Sequence, residues 1–137
     1  MYDVKNYIPL CNILKMYDKE KVLLIGLDDN LSVVKSEIVA TGNKYEVEAD
    51  INKVSLKLKN WGCKKYILCH NHVVGPVINS DEDDAFTKEF LKWDKEEGYK
   101  LIDHVIIGKN SNKFFSYEAV GLNFTEYKRP VLIIKKK

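Results

Sequence analysis

KKYILCHNHVVGPVINSDED, residues 64–83, passes from an apolar run through a loop into the start of a helix. Residues 64–70 have the length and β-prone composition of a buried strand. Gly75 and Pro76 then indicate a loop. Ser80 and the acids that follow it suit a helix N-terminus. The order strand, loop, helix predicts a chain of the α/β class.

Two histidines stand one residue apart where this predicted strand ends. Side chains alternate between the faces of a strand, so His70 and His72 point the same way while Asn71 points away. Two residues along a strand advance about 6.5–7 Å, which lets two imidazoles converge on one ion. Asp83, in the first turn of the next helix, can supply a third ligand. Two histidines, one carboxylate and a water form a recurrent catalytic zinc site.

Each part of this pattern also has a plain structural explanation. An isolated His-x-His pair is more often a surface or core feature than a metal site. Ser80-x-x-Asp83 before an apolar run is more often a helix-capping motif. The metal hypothesis accounts for both features and for their order in the sequence. The structural explanations require the two features to occur together by chance.

The rest of the chain predicts a mixed sheet covered by helices. Asp50 and Gly62 suit the two ends of one helix. The segment 6–17 is ambiguous between strand and helix, because Pro9 opposes an uninterrupted helix. The predicted elements are strands at 22–27 and 31–42, a helix at 49–62, a strand at 64–70, a helix at 80–98, and strands at 101–108 and 113–117.

Composition is that of one globular domain spanning residues 1–137, with 45% hydrophobic and 31% charged residues. The formal net charge of +2 argues neither for nucleic acid nor for an anionic membrane. No apolar run approaches the roughly 20 residues of a membrane span, and the N-terminus does not resemble a signal peptide. Cys11, Cys63 and Cys69 are an odd number at wide spacing, which opposes a disulfide framework. We therefore expect a cytoplasmic protein without a membrane partner.

Two other families fit the histidine motif poorly. In HNH nucleases the three residues are dispersed through a ββα-metal motif, whereas residues 70–72 are consecutive here. A zinc deaminase of the cytidine type needs His-x-Glu followed by Pro-Cys-x-x-Cys, and this sequence has neither.

The spacing of His70, His72, Ser80 and Asp83 follows the JAMM (MPN+) metalloprotease pattern HxHx7SxxD. Within that family the chain resembles the RadC branch, which typically reads HNHPSG, then PSxxDxxxT, and later DHxIxG.

The matching segments are HNHVVG at 70–75, Thr87 at the expected offset, and DHVIIG at 103–108. The resemblance covers about residues 18–122. Val73-Val74 replaces the usual Pro-Ser, which makes this loop more apolar without removing a ligand.

The resemblance implies a three-layer α/β/α fold with a mixed sheet, like that of the cytidine deaminases. It also implies a zinc ion held by His70, His72 and Asp83. Ser80 would help to hold the oxyanion of a tetrahedral intermediate.

A glutamate should exchange protons with the attacking water and the leaving amine. In JAMM proteins it lies at the start of the first core strand, where this chain has Glu20. Glu37, inside the second predicted strand, is the competing candidate. The offset favours Glu20.

Three further residues are expected to support the site or the fold. Asp103 and His104 face opposite sides of a strand, so at most one of them points towards the metal side. Asp103 is expected either to orient a ligand histidine or to cap a loop. His104 is expected to pack and hydrogen-bond within the fold, and Asn71 to brace the turn.

The function implied by the resemblance is zinc-dependent hydrolysis of a peptide or isopeptide bond, in which a metal-bound water attacks the amide carbonyl. The partner would be a protein or peptide substrate. The alternative is a binding or accessory module in DNA transactions without hydrolase activity. It draws on the RadC resemblance and on the basic end of the segment at 127–137, YKRPVLIIKKK.

That segment is expected to be a solubilised end, with an edge strand or a partner contact as alternatives. The helix-hairpin-helix segment that precedes the domain in full-length RadC proteins has no counterpart in the 137 residues. The DNA-binding role that a helix-hairpin-helix would suggest is therefore not expected from these residues.

Overall fold

A computed structural model describes residues 1–121, so the segment at 127–137 lies outside the described residues. The regular elements follow the predicted order β-β-α-β-α-β-β, with short helical pieces added at both ends. They are α1 (Ile8–Cys11), β1 (Lys21–Leu27), β2 (Val33–Thr41), α2 (Ile51–Trp61), β3 (Lys65–His72), α3 (Asp81–Glu97), β4 (Lys100–Gly108), β5 (Phe114–Ser116) and α4 (Tyr117–Val120).

The five strands form one mixed sheet in the order β2-β1-β3-β4-β5. The pairs β1–β2, β1–β3 and β4–β5 are antiparallel, whereas β3 and β4 are parallel. A parallel pair needs a crossover connection, and α3 supplies it. The predicted α/β class with a mixed sheet is confirmed.

Each face of the sheet carries its own apolar core, which gives three layers. On one face α2 and α3 cover side chains of β1 and β3, including Val22, Leu24 and Leu68. On the other face the N-terminal residues cover Leu23 and Cys69, among others. The alternation of side chains along β3 therefore directs His70 and His72 towards α3, and Asn71 towards the N-terminus.

The ambiguous segment 6–17 is helical. A 3₁₀ turn at Val4–Asn6, α1, and a second 3₁₀ turn at Asn12–Met16 follow one another. Pro9 lies in the first turn of α1, where a missing N–H costs no helical hydrogen bond. Helical pieces this short are stable only because Cys11 and Leu14 are fully buried against the sheet.

The predicted caps of both long helices are present. The Asp50 side chain accepts a hydrogen bond at the start of α2, and Gly62 ends that helix with a φ of 73°. Gly98 ends α3 with a φ of 79°. This left-handed conformation strains residues other than glycine, so both positions fix where a helix stops.

The strand that carries the histidines is longer than its sequence pattern indicated. It continues to His72, because its pairing with β4 runs on to the contact between His72 and Gly108. Both histidines therefore lie on a rigid strand. Within residues 1–121 no helix has the length and apolar character to span a membrane.

Candidate metal centre

His70 and His72 present their rings side by side at the end of β3, with ring centroids 5.0 Å apart. Asp83 faces both of them from α3. Its Oδ1 lies 3.1 Å from Nε2 of His70, and its Oδ2 lies 3.1 Å from Nε2 of His72. Candidate ligand atoms of the three residues all lie within 4.8 Å of one another. The fold thus brings together the three side chains that the sequence proposed as metal ligands.

A helix cap positions Asp83. The Ser80 hydroxyl accepts a hydrogen bond of 3.1 Å from the Asp83 amide, and the Ser80 amide donates one of 2.9 Å to Oδ2 of Asp83. This is a capping box, so the structural explanation of Ser80-x-x-Asp83 holds. The same contacts aim the carboxylate at the histidines, and the cap and the cluster are therefore one arrangement.

The charges in the cluster reinforce one another. Burial alone would raise the pKa of Asp83, but the contacts with His70 and His72 hold it well below its usual value. Burial would lower the pKa of His72, and its contacts with Asp83 and the Pro76 carbonyl raise it instead. The carboxylate therefore stays ionised and favours a cation between itself and the histidines.

The hydrogen bonds behind the rings assign the tautomer of both histidines. Nδ1 of His72 lies 2.9 Å from the Pro76 carbonyl, which can only accept, so Nδ1 carries the proton. Behind His70 the Thr87 hydroxyl donates to the Asp83 carbonyl at 2.8 Å. Its oxygen then accepts from Nδ1 of His104 at 2.6 Å. Nε2 of His104 in turn accepts from Nδ1 of His70 at 2.8 Å.

This assignment leaves a lone pair on Nε2 of His70 and of His72, each facing a carboxylate oxygen of Asp83. A histidine nitrogen and a carboxylate oxygen that both carry lone pairs repel each other at 3.1 Å unless a proton or a metal cation lies between them. Two imidazoles and one carboxylate with their outer nitrogens held by hydrogen bonds are a donor set that zinc accepts. The residues therefore fit a metal ion on chemical grounds.

The structure distinguishes between the roles expected for Asp103 and His104: His104 packs and hydrogen-bonds within the fold as expected, and of the two alternatives for Asp103 the capping contact is the one present. Asp103 contacts no ligand histidine. Its carboxylate accepts hydrogen bonds from the Tyr2 hydroxyl, the Ser116 hydroxyl and the Glu118 amide, which tie Tyr2 and the start of α4 to β4. His104 is the residue that contacts a candidate ligand, His70, because β4 turns this side chain towards α3.

Replacing His104 with phenylalanine is expected to weaken zinc binding by about 10–100-fold, the usual cost of losing such an outer contact. The ring volume is retained, but Nδ1 of His70 loses its acceptor. Competition with a chromophoric chelator measures the affinity. Ile106→Val, two residues further along β4, is the control; equal affinities in the two variants would remove His104 from the metal centre.

Glu20 lies immediately before β1 and is 5% exposed. Its amide donates to the Asn43 carbonyl, and its carbonyl accepts from the Gly42 amide, each at 2.8 Å. Val22 pairs with His70, so continuation of this antiparallel register brings Glu20 to the level of His72 on the same face. Burial raises the pKa of Glu20, which the charges on the two histidines partly offset.

A cavity of 390 Å³ opens on the cluster. Its walls include Glu20 and Ser80 together with His70, His72 and Asp83. The two preferred catalytic residues and the three candidate metal ligands therefore line one cavity.

Glu37 does not line this cavity. It lies within β2 and forms an ion pair of 2.6 Å with Lys57 of α2. That contact lowers the pKa of the Glu37 carboxyl. Of the two candidate acid/base residues, Glu20 is the one that the fold places beside the histidines.

Asn71 holds the N-terminal segment in place from the opposite face of β3. Its side-chain oxygen accepts a hydrogen bond of 2.8 Å from the Lys21 amide. Its side-chain nitrogen donates to the carbonyls of Leu14 at 3.3 Å and Lys19 at 3.1 Å. These bonds fix the backbone on both sides of Glu20, so Asn71 braces this segment instead of the turn after His72.

Replacing Asn71 with alanine is expected to lower the free energy of unfolding by about 1–3 kcal/mol, because three buried or partly buried hydrogen bonds of this buried side chain are lost. Urea denaturation measures the change. The exposed Asn60→Ala substitution in α2 is the control and should cost less than about 0.5 kcal/mol. Equal stability of the two variants would contradict the bracing role.

Thr87 contacts the candidate metal centre in a way that the sequence did not reveal. It follows Asp83 by four residues, so both lie on the same face of α3. Its hydroxyl is fully buried between Asp83 and His104. The offset was visible in the sequence, but the partner on β4 was not.

Known proteins provide an independent comparison. A family model described as RadC-like JAB domain matches residues 2–122. A UPF0758 protein of Fusobacterium nucleatum is 33% identical over 103 residues, which are 75% of this chain and 44% of that protein. A UPF0758 protein of Picosynechococcus sp. is 29% identical over 104 residues, 76% of this chain and 43% of that protein.

A UPF0758 protein of Clostridium acetobutylicum is 32% identical over 95 residues, 69% of this chain and 42% of that protein. The chain thus spans less than half the length of these curated relatives. The match nevertheless extends over nearly all the residues that build the fold and the cluster, and the predicted resemblance is confirmed. This chain belongs to the family of RadC-like JAB domains.

Proposed function

We propose that the chain is a zinc-dependent hydrolase of the JAMM type that cleaves a peptide or isopeptide bond. The observation that carries this proposal is one cavity lined by a buried glutamate, a serine hydroxyl and a His-His-Asp cluster. These are the groups that amide hydrolysis assisted by a metal requires.

The three cluster residues, His70, His72 and Asp83, would hold the ion. When bound, zinc supplies a Lewis acid and lowers the pKa of water towards about 7. Glu20 takes a proton from the attacking water and gives it to the leaving nitrogen, a role that suits a carboxyl whose pKa is raised by burial. The Ser80 hydroxyl, which uses a lone pair to accept from Asp83, keeps its own proton to donate to an oxyanion.

A peptide digestion tests this proposal. Protein stripped with a chelator and reloaded with zinc is incubated with a mixture of synthetic peptides, including lysine-branched ones, and the products are identified by mass spectrometry. We expect new termini that appear only with metal. Cleavage that persists unchanged in the chelated protein, or none in the reloaded protein across both kinds of peptide, would contradict the proposal.

The alternative of a module acting on nucleic acid has less physical support. Within the described part of the chain, the cavity is lined by four acids, Glu20, Glu46, Glu82 and Asp83, and by no lysine or arginine. Such a wall repels phosphates. We therefore expect that a short DNA duplex does not bind at this cavity, even at low salt.

A reducing compartment is also part of the proposal. Cys11, Cys63 and Cys69 are buried free thiols. Free thiols are usual in the cytoplasm, which is the compartment we propose.

A further inference from the structure

A second depression of 590 Å³ adjoins the candidate metal centre. It lies between the segment 46–51 and α3. Four residues line both it and the cavity of the cluster: Glu46, Val47, Glu82 and Phe86. The two spaces therefore share a wall, and we call the second one the acidic groove.

The acidic groove combines an apolar floor with an acidic rim. Its apolar lining residues are Val47, Ala49, Ile51, Ala85, Phe86 and Phe90, and its acidic ones are Glu46, Glu48, Asp50, Glu82 and Glu89. All five acids are exposed to solvent. Among residues 1–121, no lysine or arginine belongs to its lining.

The local charge contrasts with that of the chain as a whole. The chain carries a formal net charge of +2, yet the lining of the groove contributes five acids and no base. Such a surface attracts cations and repels nucleic acids and acidic peptides. Lysine and arginine combine a cationic end with an apolar stem, so their side chains match both the rim and the floor.

We propose that the acidic groove binds the part of a polypeptide substrate next to the cleaved amide, and that it selects lysine or arginine flanked by aliphatic residues. This inference rests on the proposed hydrolase function, because it takes the adjoining cavity as the place of cleavage. A cationic side chain enters the groove while the amide lies beside the cluster. Acidic segments are excluded by charge.

A binding measurement on chelator-treated, metal-free protein tests the groove apart from catalysis. The probe is a fluorescein-labelled hexapeptide of alternating leucine and lysine, and its partner probe replaces lysine with glutamate. Fluorescence anisotropy is recorded at low and at high salt. We expect the lysine peptide to bind and the glutamate peptide not to bind. Binding of the lysine peptide should weaken with salt, because the acids at the rim are exposed.

The matched variants remove the same charge from two places. Glu48→Gln combined with Glu89→Gln changes residues that line only the groove. Glu96→Gln combined with Glu97→Gln changes exposed residues at the end of α3. The first pair is expected to weaken binding about five-fold at low salt, and the second less than about two-fold.

The possible outcomes test peptide binding in the acidic groove separately from hydrolysis at the metal centre. Charge-dependent binding through Glu48 and Glu89 without any cleavage would uphold the groove and reject the hydrolase. Equal binding of the lysine and glutamate peptides, or equal weakening by both double variants, would overturn the groove even if cleavage occurs. Tighter peptide binding after replacing Lys135, Lys136 and Lys137 with serine would show that these lysines of the same chain compete for the groove, and would overturn the substrate proposal.

Discussion

Glu20→Gln is expected to lower the turnover of a cleavable peptide by about 10²–10⁴-fold, the usual contribution of a positioned acid/base. The amide side chain keeps the shape of the buried carboxyl but cannot accept the proton of the attacking water. Zinc content should stay at the level of the unsubstituted chain, because Glu20 lies outside the His-His-Asp group. The two measurements are steady-state kinetics and elemental analysis on the same preparation.

Glu37→Gln provides the matched control. It makes the same chemical change at a residue whose partner is Lys57 and which does not line the cavity. Turnover in this variant should remain within about two-fold of the unsubstituted chain, since the partly exposed ion pair with Lys57 lies away from the cavity and contributes little. Loss of turnover in Glu37→Gln with full activity in Glu20→Gln would transfer the acid/base role to Glu37.

Asp83→Ala and Ser80→Ala are expected to separate the cap of α3 from the metal centre. Both substitutions break the capping box, so Ser80→Ala should lower the free energy of unfolding of metal-free protein by about 1 kcal/mol, and Asp83→Ala, which also loses the contacts with His70 and His72, should lower it by more. Asp83→Ala also removes a proposed ligand, and its zinc affinity should fall by more than the roughly 10–100-fold typical of an outer contact. Ser80→Ala should retain zinc.

Turnover adds a second distinction between these variants. Ser80→Ala should lose about 10²–10³-fold in turnover, the usual cost of removing one oxyanion donor. Asp81→Ala, in the same helical turn but exposed and outside the cavity lining, is the control for charge near the helix start. Chelator competition and urea denaturation provide the two affinities and the two stabilities. An unchanged zinc affinity in Asp83→Ala would remove this residue from the ligand set.

Periodic patterns made most of the fold predictable. Alternating faces in β3 and apolar residues three or four positions apart, such as Val54 and Leu58 in α2 or Phe86 and Phe90 in α3, are local properties of the sequence. The caps Asp50, Ser80, Gly62 and Gly98 marked the helix ends within one or two residues. The segment 6–17 could not be assigned this way, because its short helical pieces depend on packing against the sheet instead of on propensity.

The candidate ligands were predictable for a related reason. His70 and His72 share a face by strand alternation, and Asp83 lies in a helical turn that its own cap specifies. The roles of Asp103 and His104 could not be predicted. Alternation along a strand shows that the two side chains face opposite sides of the sheet, but not which side each one faces. That depends on the irregular pairing of β3 with β4 near Tyr66 and Ile67.

The acidic groove also had no sequence signature. Six of its lining residues come from the segment 46–51, of which 46–50 form no regular element, and five come from α3. Gly42 permits this approach: a Cβ there would lie 2.0 Å from the Glu46 carbonyl oxygen and 2.7 Å from Cα of Val47. Only the folded chain juxtaposes the acids of the two segments.

Metal content tests the proposed centre before any substrate is known. The full chain and its His72→Ala variant are loaded with zinc, freed of excess metal by gel filtration and analysed by inductively coupled plasma mass spectrometry. We expect about one zinc per full chain, as for a site with three protein ligands, and almost none in the variant. Failure of the full chain to retain zinc, or equal zinc in both proteins, would show that His70, His72 and Asp83 do not form the metal centre.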